Sequence, residues 1–197
     1  MTSTATSRAL LFDLDGTLVD TAELNLRCYQ DSLGEVGVVL GREAFSAHLG
    51  GHWRTFLPLL CGSDDPELLG RVHRRKQELY AQRLGALRAN EPLVALLRQA
   101  RPAFRTGLVT SASRAAVLPL LRHFGWEGAF DAVITGDDVV AAKPDPEGYL
   151  RCLRELGCLA GHSLACEDAP AGMAAARAAG LMVLCVQGFT AAGATRS

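Results

Sequence analysis

The stretch "LLFDLDGTLVDT", Leu10 to Thr21, places Asp13 and Asp15 at the end of an apolar run and follows them with Gly16 and Thr17. The run "ALLFDL" (9–14) reads as a short strand, and on an extended backbone Asp13 and Asp15 fall on the same side. Two carboxylates crowded there repel by ~4 kcal/mol at about 4 Å and an effective dielectric near 20. Some positive group has to offset that cost. Two ordinary readings compete: a D-G turn and an aspartate that caps a helix. A calcium loop starting at Asp13 fails, because Leu18 stands where glycine is needed and Leu24 where the bidentate glutamate belongs.

Outward from this strand, apolar runs recur at 106–111, 131–136, 163–168 and 181–186, alternating with helix-like segments. That alternation predicts an α/β fold, a parallel sheet with helices on both faces. Most of the runs end in polar residues, and the C-terminal edge of such a sheet is where ligands bind. "TSAS" (110–113) brings hydroxyls there, "CED" (166–168) brings Glu167 and Asp168, and "AAKPDP" (141–146) brings Lys143. Singly, each has an everyday role: Asp168 as a cap, the hydroxyls as caps of a helix at 114, Lys143 as a solvated turn residue. Jointly they deliver complementary polar groups to one edge of one sheet.

Helix punctuation agrees. Asp145 is placed to cap and Pro146 to open a helix that Gly157 stops, while Pro170 opens an Ala-rich helix ending at Gly180. About ninety residues separate the first two strands, with helix-period segments at 22–34, 42–49, 54–60, 66–84 and 91–100. Asp65-Pro66 opens the fourth. The expected organisation is a core of 1–20 and 89–197, with 21–88 inserted as a helical bundle over the sheet's C-terminal edge.

The chain has 197 residues, 49% hydrophobic and 21% charged, with a formal net charge of −1. That suits one core domain with a modest insertion. It makes nucleic acid a poor partner, the Arg71–Lys76 cluster notwithstanding. No apolar run approaches ~18 residues, so no membrane span is expected, and the polar start lacks a signal segment. The six cysteines form no C-x-x-C pair, and Cys166 and Cys185 lie in apolar runs as reduced thiols would. A cytoplasmic monomer or weak dimer is expected.

Asp13, Asp15, Glu167 and Asp168 carry four negative charges if all are ionised; Lys143 and one divalent cation leave a single charge uncompensated. Oxygen ligands, some of them waters, suit Mg²⁺, and Mg²⁺ attracts phosphate.

These residues, in this order, resemble the haloacid dehalogenase-like hydrolase superfamily, in its phosphatase and β-phosphoglucomutase-like branch, from Leu10 to about Gly188. The resemblance implies a Rossmann-like core with a helical cap inserted after the first strand. It implies Asp13 as a nucleophile forming an aspartyl phosphate and Asp15 as general acid and then base. Lys143 neutralises the phosphoryl oxygens, and Thr110 or Ser111, with Ser111 favoured, binds the phosphoryl group beside the Ala112 amide. Mg²⁺ is held by Asp13, the Asp15 carbonyl and Asp168, with Glu167 direct or through water. Asp15 argues against dehalogenase chemistry, which lacks this second acid. Relatives that are mutases carry Val and His where this chain has Thr17 and Asn25. A hexose phosphate mutase and a non-catalytic phosphometabolite-binding protein are the competing readings.

In the insertion, "LGGHWRTF" (49–56) and "RRKQELY" (74–80) resemble cap segments that meet substrate, through Gly51, His52, Trp53, Arg54 and Lys76. The alternative there is an inter-helix turn with a buried tryptophan and an exposed basic helix face. With Arg54 and Lys76 facing the cleft, the substrate is a small anionic phosphometabolite such as a sugar phosphate, a polyol phosphate or phosphoglycolate. Few aromatics besides Trp53 are available to stack a nucleobase, and His48, His73, His123 and His162 read as ordinary positions.

Overall fold

The structure is a computed structural model that describes residues 8–47, 53–101, 103–187 and 189. In chain order its elements are β1 (Ala9–Phe12), β2 (Val19–Asp20), α1 (Ala22–Gly34), α2 (Arg42–Ser46), α3 (Trp53–Cys61), α4 (Pro66–Gln82), β3 (Arg88–Ala89) and α5 (Glu91–Ala100). There follow β4 (Arg105–Val109), α6 (Arg114–His123), β5 (Ala132–Ile134), α7 (Glu147–Leu156), β6 (Leu164–Glu167), α8 (Pro170–Ala178) and β7 (Met182–Cys185).

Five strands form a parallel sheet in the order β5-β4-β1-β6-β7. β1 is central, Leu10 pairing with Thr106 on one side and Leu164 on the other. Its side chains alternate between two cores. Leu10 and Phe12 pack with α5 and α6, while Ala9 and Leu11 pack with α7 and α8. A strand buried on both faces must be apolar throughout, which is why "ALLF" carries no polar alternation. The chain runs from β1 out to β4 and β5 and then returns to the other side of β1 for β6. Strand order therefore reverses at β1, the place where an open α/β sheet leaves a crevice beyond its carboxyl ends.

All five expected strands are present, each shorter than its apolar run. Asp65 accepts a hydrogen bond from the Glu67 amide at 3.0 Å, with Pro66 in the first turn, and Gly157 ends α7 in the left-handed region at φ 64°. Helix α7 begins at Glu147, one residue later than expected, with Asp145 Oδ1 accepting from the Glu147 amide at 2.9 Å. Cys185 departs from expectation: it is exposed together with Met182 and Leu184, on a strand that lies at the edge of the sheet and, among the described residues, pairs with β6 alone. Cys166, on the more central β6, is fully buried. Among the described residues, no helix is long and apolar enough to cross a membrane.

An unanticipated two-stranded ribbon joins β2 and β3, antiparallel, with Val19 opposite Ala89 and Asp20 opposite Arg88. Arg88 closes it with a 2.7 Å ion pair to Asp20. The ribbon brings together the two points where the chain leaves and re-enters the sheet region. Between them, Leu26, Tyr29, Leu33, Phe56, Leu57 and Val72 form a cluster of their own. Leu24, Cys28, Leu79 and Tyr80, also from α1 and α4, join the cluster on the sheet instead. Helices α1 and α4 thus bury residues in both cores.

Candidate active site

Beyond Phe12 the pairing of β1 continues for one residue, the Asp13 amide donating to the Cys166 carbonyl at 3.0 Å. The chain then turns sharply. Gly16 has φ +87° and its amide donates to Val19 O at 2.8 Å. Asp15 therefore leaves the extended register, and the two aspartates find different partners. The Asp13 carboxylate accepts Lys143 Nζ at 2.7 Å. The Asp15 carboxylate accepts the hydroxyls of Thr21 at 2.6 Å and Thr110 at 3.3 Å, with Asn25 Nδ2 at 3.5 Å. The repulsion expected of an extended D-x-D pair is relieved by this separation and by the lysine.

Lys143 is the hub of a buried cluster. Its ammonium donates to Asp13 Oδ1, to Glu167 Oε1 at 2.6 Å and to the Val109 carbonyl at 3.0 Å. Burial alone lowers the pKa of this lysine, but Asp13 and Glu167 together outweigh it, so the net shift is upward and the ammonium persists. Asp13 is also shifted upward, which for a carboxyl favours the neutral form. Burial pushes its carboxyl well above the usual range, the lysine pulls it back in part, and Glu167 and Asp15 add to the rise.

Asp13, Glu167 and Asp168 present carboxylate oxygens all within 4.8 Å of one another. Asp168 accepts the Thr17 hydroxyl at 2.8 Å, and burial raises its pKa. It also lies against Gly16: a Cβ at that residue would strike the Asp168 carboxylate, so the left-handed glycine makes room for the acid. An all-oxygen donor set that repels itself and is tightly packed fits a hard divalent cation such as Mg²⁺. Asp15 does not join this trio through its side chain, which is occupied elsewhere.

Of the hydroxyl pair after β4, Thr110 is buried, donates to Asp15 and accepts from the Ala112 amide at 3.0 Å. Ser111 and Ala112 line the neighbouring cavity. That cavity, about 190 Å³, lies between the insertion and the sheet edge, with Asp15, Asn25, Trp53, Lys76, Ser111 and Asp168 among its lining residues. Lys76 is buried, with Nζ 4.4 Å from the ring centre of Tyr80 and 5.0 Å from that of Tyr29. Burial lowers its pKa to about 8, against a smaller upward pull from Asp15.

Several expectations for the insertion change. Arg54 is absent from the cavity lining. Its guanidinium stacks 4.6 Å over Trp53 and approaches Asp137 at 3.8 Å. Gly51 and His52, like His48, lie outside the described residues. His73 is no ordinary surface residue: it lines the cavity, stacked on Trp53 at a centroid distance of 4.1 Å. Aromatic lining is also richer than expected, since Tyr29, Phe45, Phe56 and Tyr80 join Trp53. Gln77, unnoticed in the sequence, lines the cavity and donates to Ser113 Oγ at 2.8 Å. His73, Lys76, Gln77 and Tyr80 recur at helical spacing along α4, so polar residues on its buried stripe were the signal to follow.

A lysine-bridged pair of carboxylates at the switch point of a parallel sheet, beside a cavity lined by Asp15 and Asp168 and by residues of α1, α3 and α4, defines a class of α/β hydrolytic enzymes. The model of the haloacid dehalogenase-like hydrolase family matches residues 10–186, and the chain belongs to that family. Protein CbbY of Cupriavidus necator is 33% identical over 195 residues, spanning 88% of this chain and 76% of its own. Fructose-1-phosphate phosphatase YqaB of Escherichia coli is 31% identical over 176 residues, spanning 87% of this chain and 92% of its own. A solved structure of CbbY from Rhodobacter sphaeroides, in complex with xylulose-1,5-bisphosphate, superposes with a TM-score of 0.84 at 29% identity, covering 92% of this chain and 86% of that one. Within the family, the chain stands with the phosphatases.

Proposed function

We propose that the chain is a Mg²⁺-dependent phosphomonoesterase acting on a small phosphorylated carbohydrate or polyol through an aspartyl phosphate on Asp13. The observation that carries this reading is the buried Asp13–Lys143–Glu167 chain beside Asp168, next to a cavity sized for a small metabolite. A relative named as a fructose-1-phosphate phosphatase and a solved relative in complex with xylulose-1,5-bisphosphate support the substrate class. Residues 21–88 serve as the cap that closes over the reaction and excludes water. The six cysteines are unpaired, which suits the reducing cytoplasm proposed as its compartment.

Mg²⁺ held by Asp13, Asp168, Glu167 and the Asp15 carbonyl would supply the positive charge that lets a phosphate dianion approach a carboxylate. Asp13 attacks phosphorus, forming the O–P bond of the acyl phosphate as the ester P–O bond breaks. Asp15 gives its proton to the leaving alkoxide and later takes one from the water whose oxygen bonds phosphorus as the Asp13 O–P bond breaks, which releases phosphate and restores the carboxylate. Thr21, Asn25 and Thr110 orient that carboxylate for both steps. Ser111 and the Ala112 amide bind phosphoryl oxygens, and Lys143 offsets their charge. Lys76 meets a second polar or anionic part of the substrate inside the cavity.

The test is phosphate release from a panel of glycolate, glycerol, hexose and nucleoside phosphates, with and without Mg²⁺. Wild-type protein is expected to release phosphate from a sugar or polyol ester only with Mg²⁺, and Asp13→Asn to lose activity by about 10³-fold or more. Full activity in pure Asp13→Asn protein, or phosphate returned to the sugar instead of released, would overturn the reading.

A further inference from the structure

Glu167 is 1% exposed, and its two oxygens are used unequally. Oε1 accepts Lys143 Nζ at 2.6 Å and the Tyr149 hydroxyl at 2.8 Å, whereas among the described residues Oε2 accepts the Ala169 amide alone, at 3.4 Å. Oε1 is satisfied by two strong donors, and Oε2 is left available. Lys143 is fully committed as well. An ammonium has three protons, and these go to Asp13, Glu167 and Val109 O. A phosphoryl oxygen can bond Lys143 only if one of the three is given up. Val109 O belongs to the main chain of β4, and Asp13 is the group whose lone pair is needed for attack, so the Asp13 bond is the one to exchange.

During that exchange Glu167 needs a tie that does not depend on the lysine alone. Tyr149, fully buried on α7, supplies one through its hydroxyl, and its ring centre lies 5.2 Å from Lys143 Nζ. On the other side, Gly172 of α8 presses bare backbone against the carboxylate; a Cβ there would strike Glu167. We infer that Tyr149 is a positioning residue: its hydroxyl pins Glu167 Oε1 so that Oε2 stays available to the cation while Lys143 trades its bond to Asp13 for one to the phosphoryl group. This rests on the reading of Glu167 as a cation-side carboxylate.

Calorimetric titration of the full-length protein with Mg²⁺ alone tests the inference independently of turnover. Tyr149→Phe is expected to bind Mg²⁺ about tenfold more weakly, and to lower kcat for p-nitrophenyl phosphate with little change in KM. Because Tyr149 acts through Glu167, a Tyr149→Phe/Glu167→Gln double variant should match Glu167→Gln alone. Unchanged Mg²⁺ affinity in Tyr149→Phe, additive losses in the double variant, or failure of Tyr149→Phe to fold would overturn it. Wild-type protein that binds Mg²⁺ but releases no phosphate would sink the proposed function while the calorimetry still decides the role of Tyr149. Absence of Mg²⁺ binding by wild-type protein would overturn both.

Discussion

Asp13 and Lys76 are both taken out of water, and burial drives each toward its neutral form, yet among the described residues Lys76, unlike Asp13, has no oppositely charged group in contact. Lys143 answers Asp13 directly at 2.7 Å. Lys76 instead rests against the faces of Tyr29 and Tyr80, with the Asp15 charge acting from further away. With its pKa lowered to about 8, it is a cation at neutral pH and loses that charge as pH rises through about 8. An anionic substrate should therefore show kcat/KM falling above that pH, since kcat/KM reports the free enzyme. Lys76→Met should flatten this limb and raise KM about ten- to hundredfold, the worth of a hydrogen bond to a charged group. The same shift acts on stability with the opposite sign. Between pH 8 and the ordinary 10.5, the unfolded chain holds a proton that the folded one has lost, so this residue's contribution to stability rises with pH. A pH series of kcat/KM and of urea midpoints for both proteins checks the two signs.

At the scale of elements, the site depends on how closely α7 lies on the sheet, because α7 carries Tyr149. Gly107 of β4 permits that approach. A Cβ there would meet Cys152 Sγ of α7, and Leu11 Cδ2 at 2.6 Å. Gly107→Ala is expected to cost about 1–3 kcal/mol through overpacking, read as a lower urea midpoint. It should also lower kcat if α7 moves outward with its tyrosine. Helix α4 plays a comparable part in the insertion. One stripe of it supplies His73, Lys76, Gln77 and Tyr80 to the cavity, while Leu69 and Val72 anchor the insertion's own cluster. Its start was readable from Asp65-Pro66. Which face met the cavity was not, because an amphipathic stripe states that a face is buried and not what it is buried against.

For the molecule as a whole, Asp13, Glu167 and Asp168 hold their carboxylates close together, and a cation that bound only the folded state would offset their mutual repulsion. At about one hundred times its dissociation constant, Mg²⁺ should contribute ~2.7 kcal/mol. For a chain of this size that corresponds to a rise in melting temperature of roughly 5–10 °C. Asp168→Asn should reduce the rise, and a melt that ignores Mg²⁺ in wild-type protein would contradict the cluster's assignment. The parallel sheet, its two helical layers, the run of helices between its first two strands and the four polar segments at the sheet edge were legible in the sequence, because strand periodicity, Pro and Gly punctuation and charged residues at strand ends are local signals. Local chemistry could not show that Asp13 and Asp15 part company at a left-handed Gly16, that Thr110 turns to Asp15 while Ser111 lines the cavity, or that Arg54 turns to Asp137. Nor could it show that Tyr149 holds Glu167 from 18 residues away along the chain. Those outcomes depend on which side chains the folded sheet brings within about 3 Å of one another, a distance set by packing between segments remote in sequence.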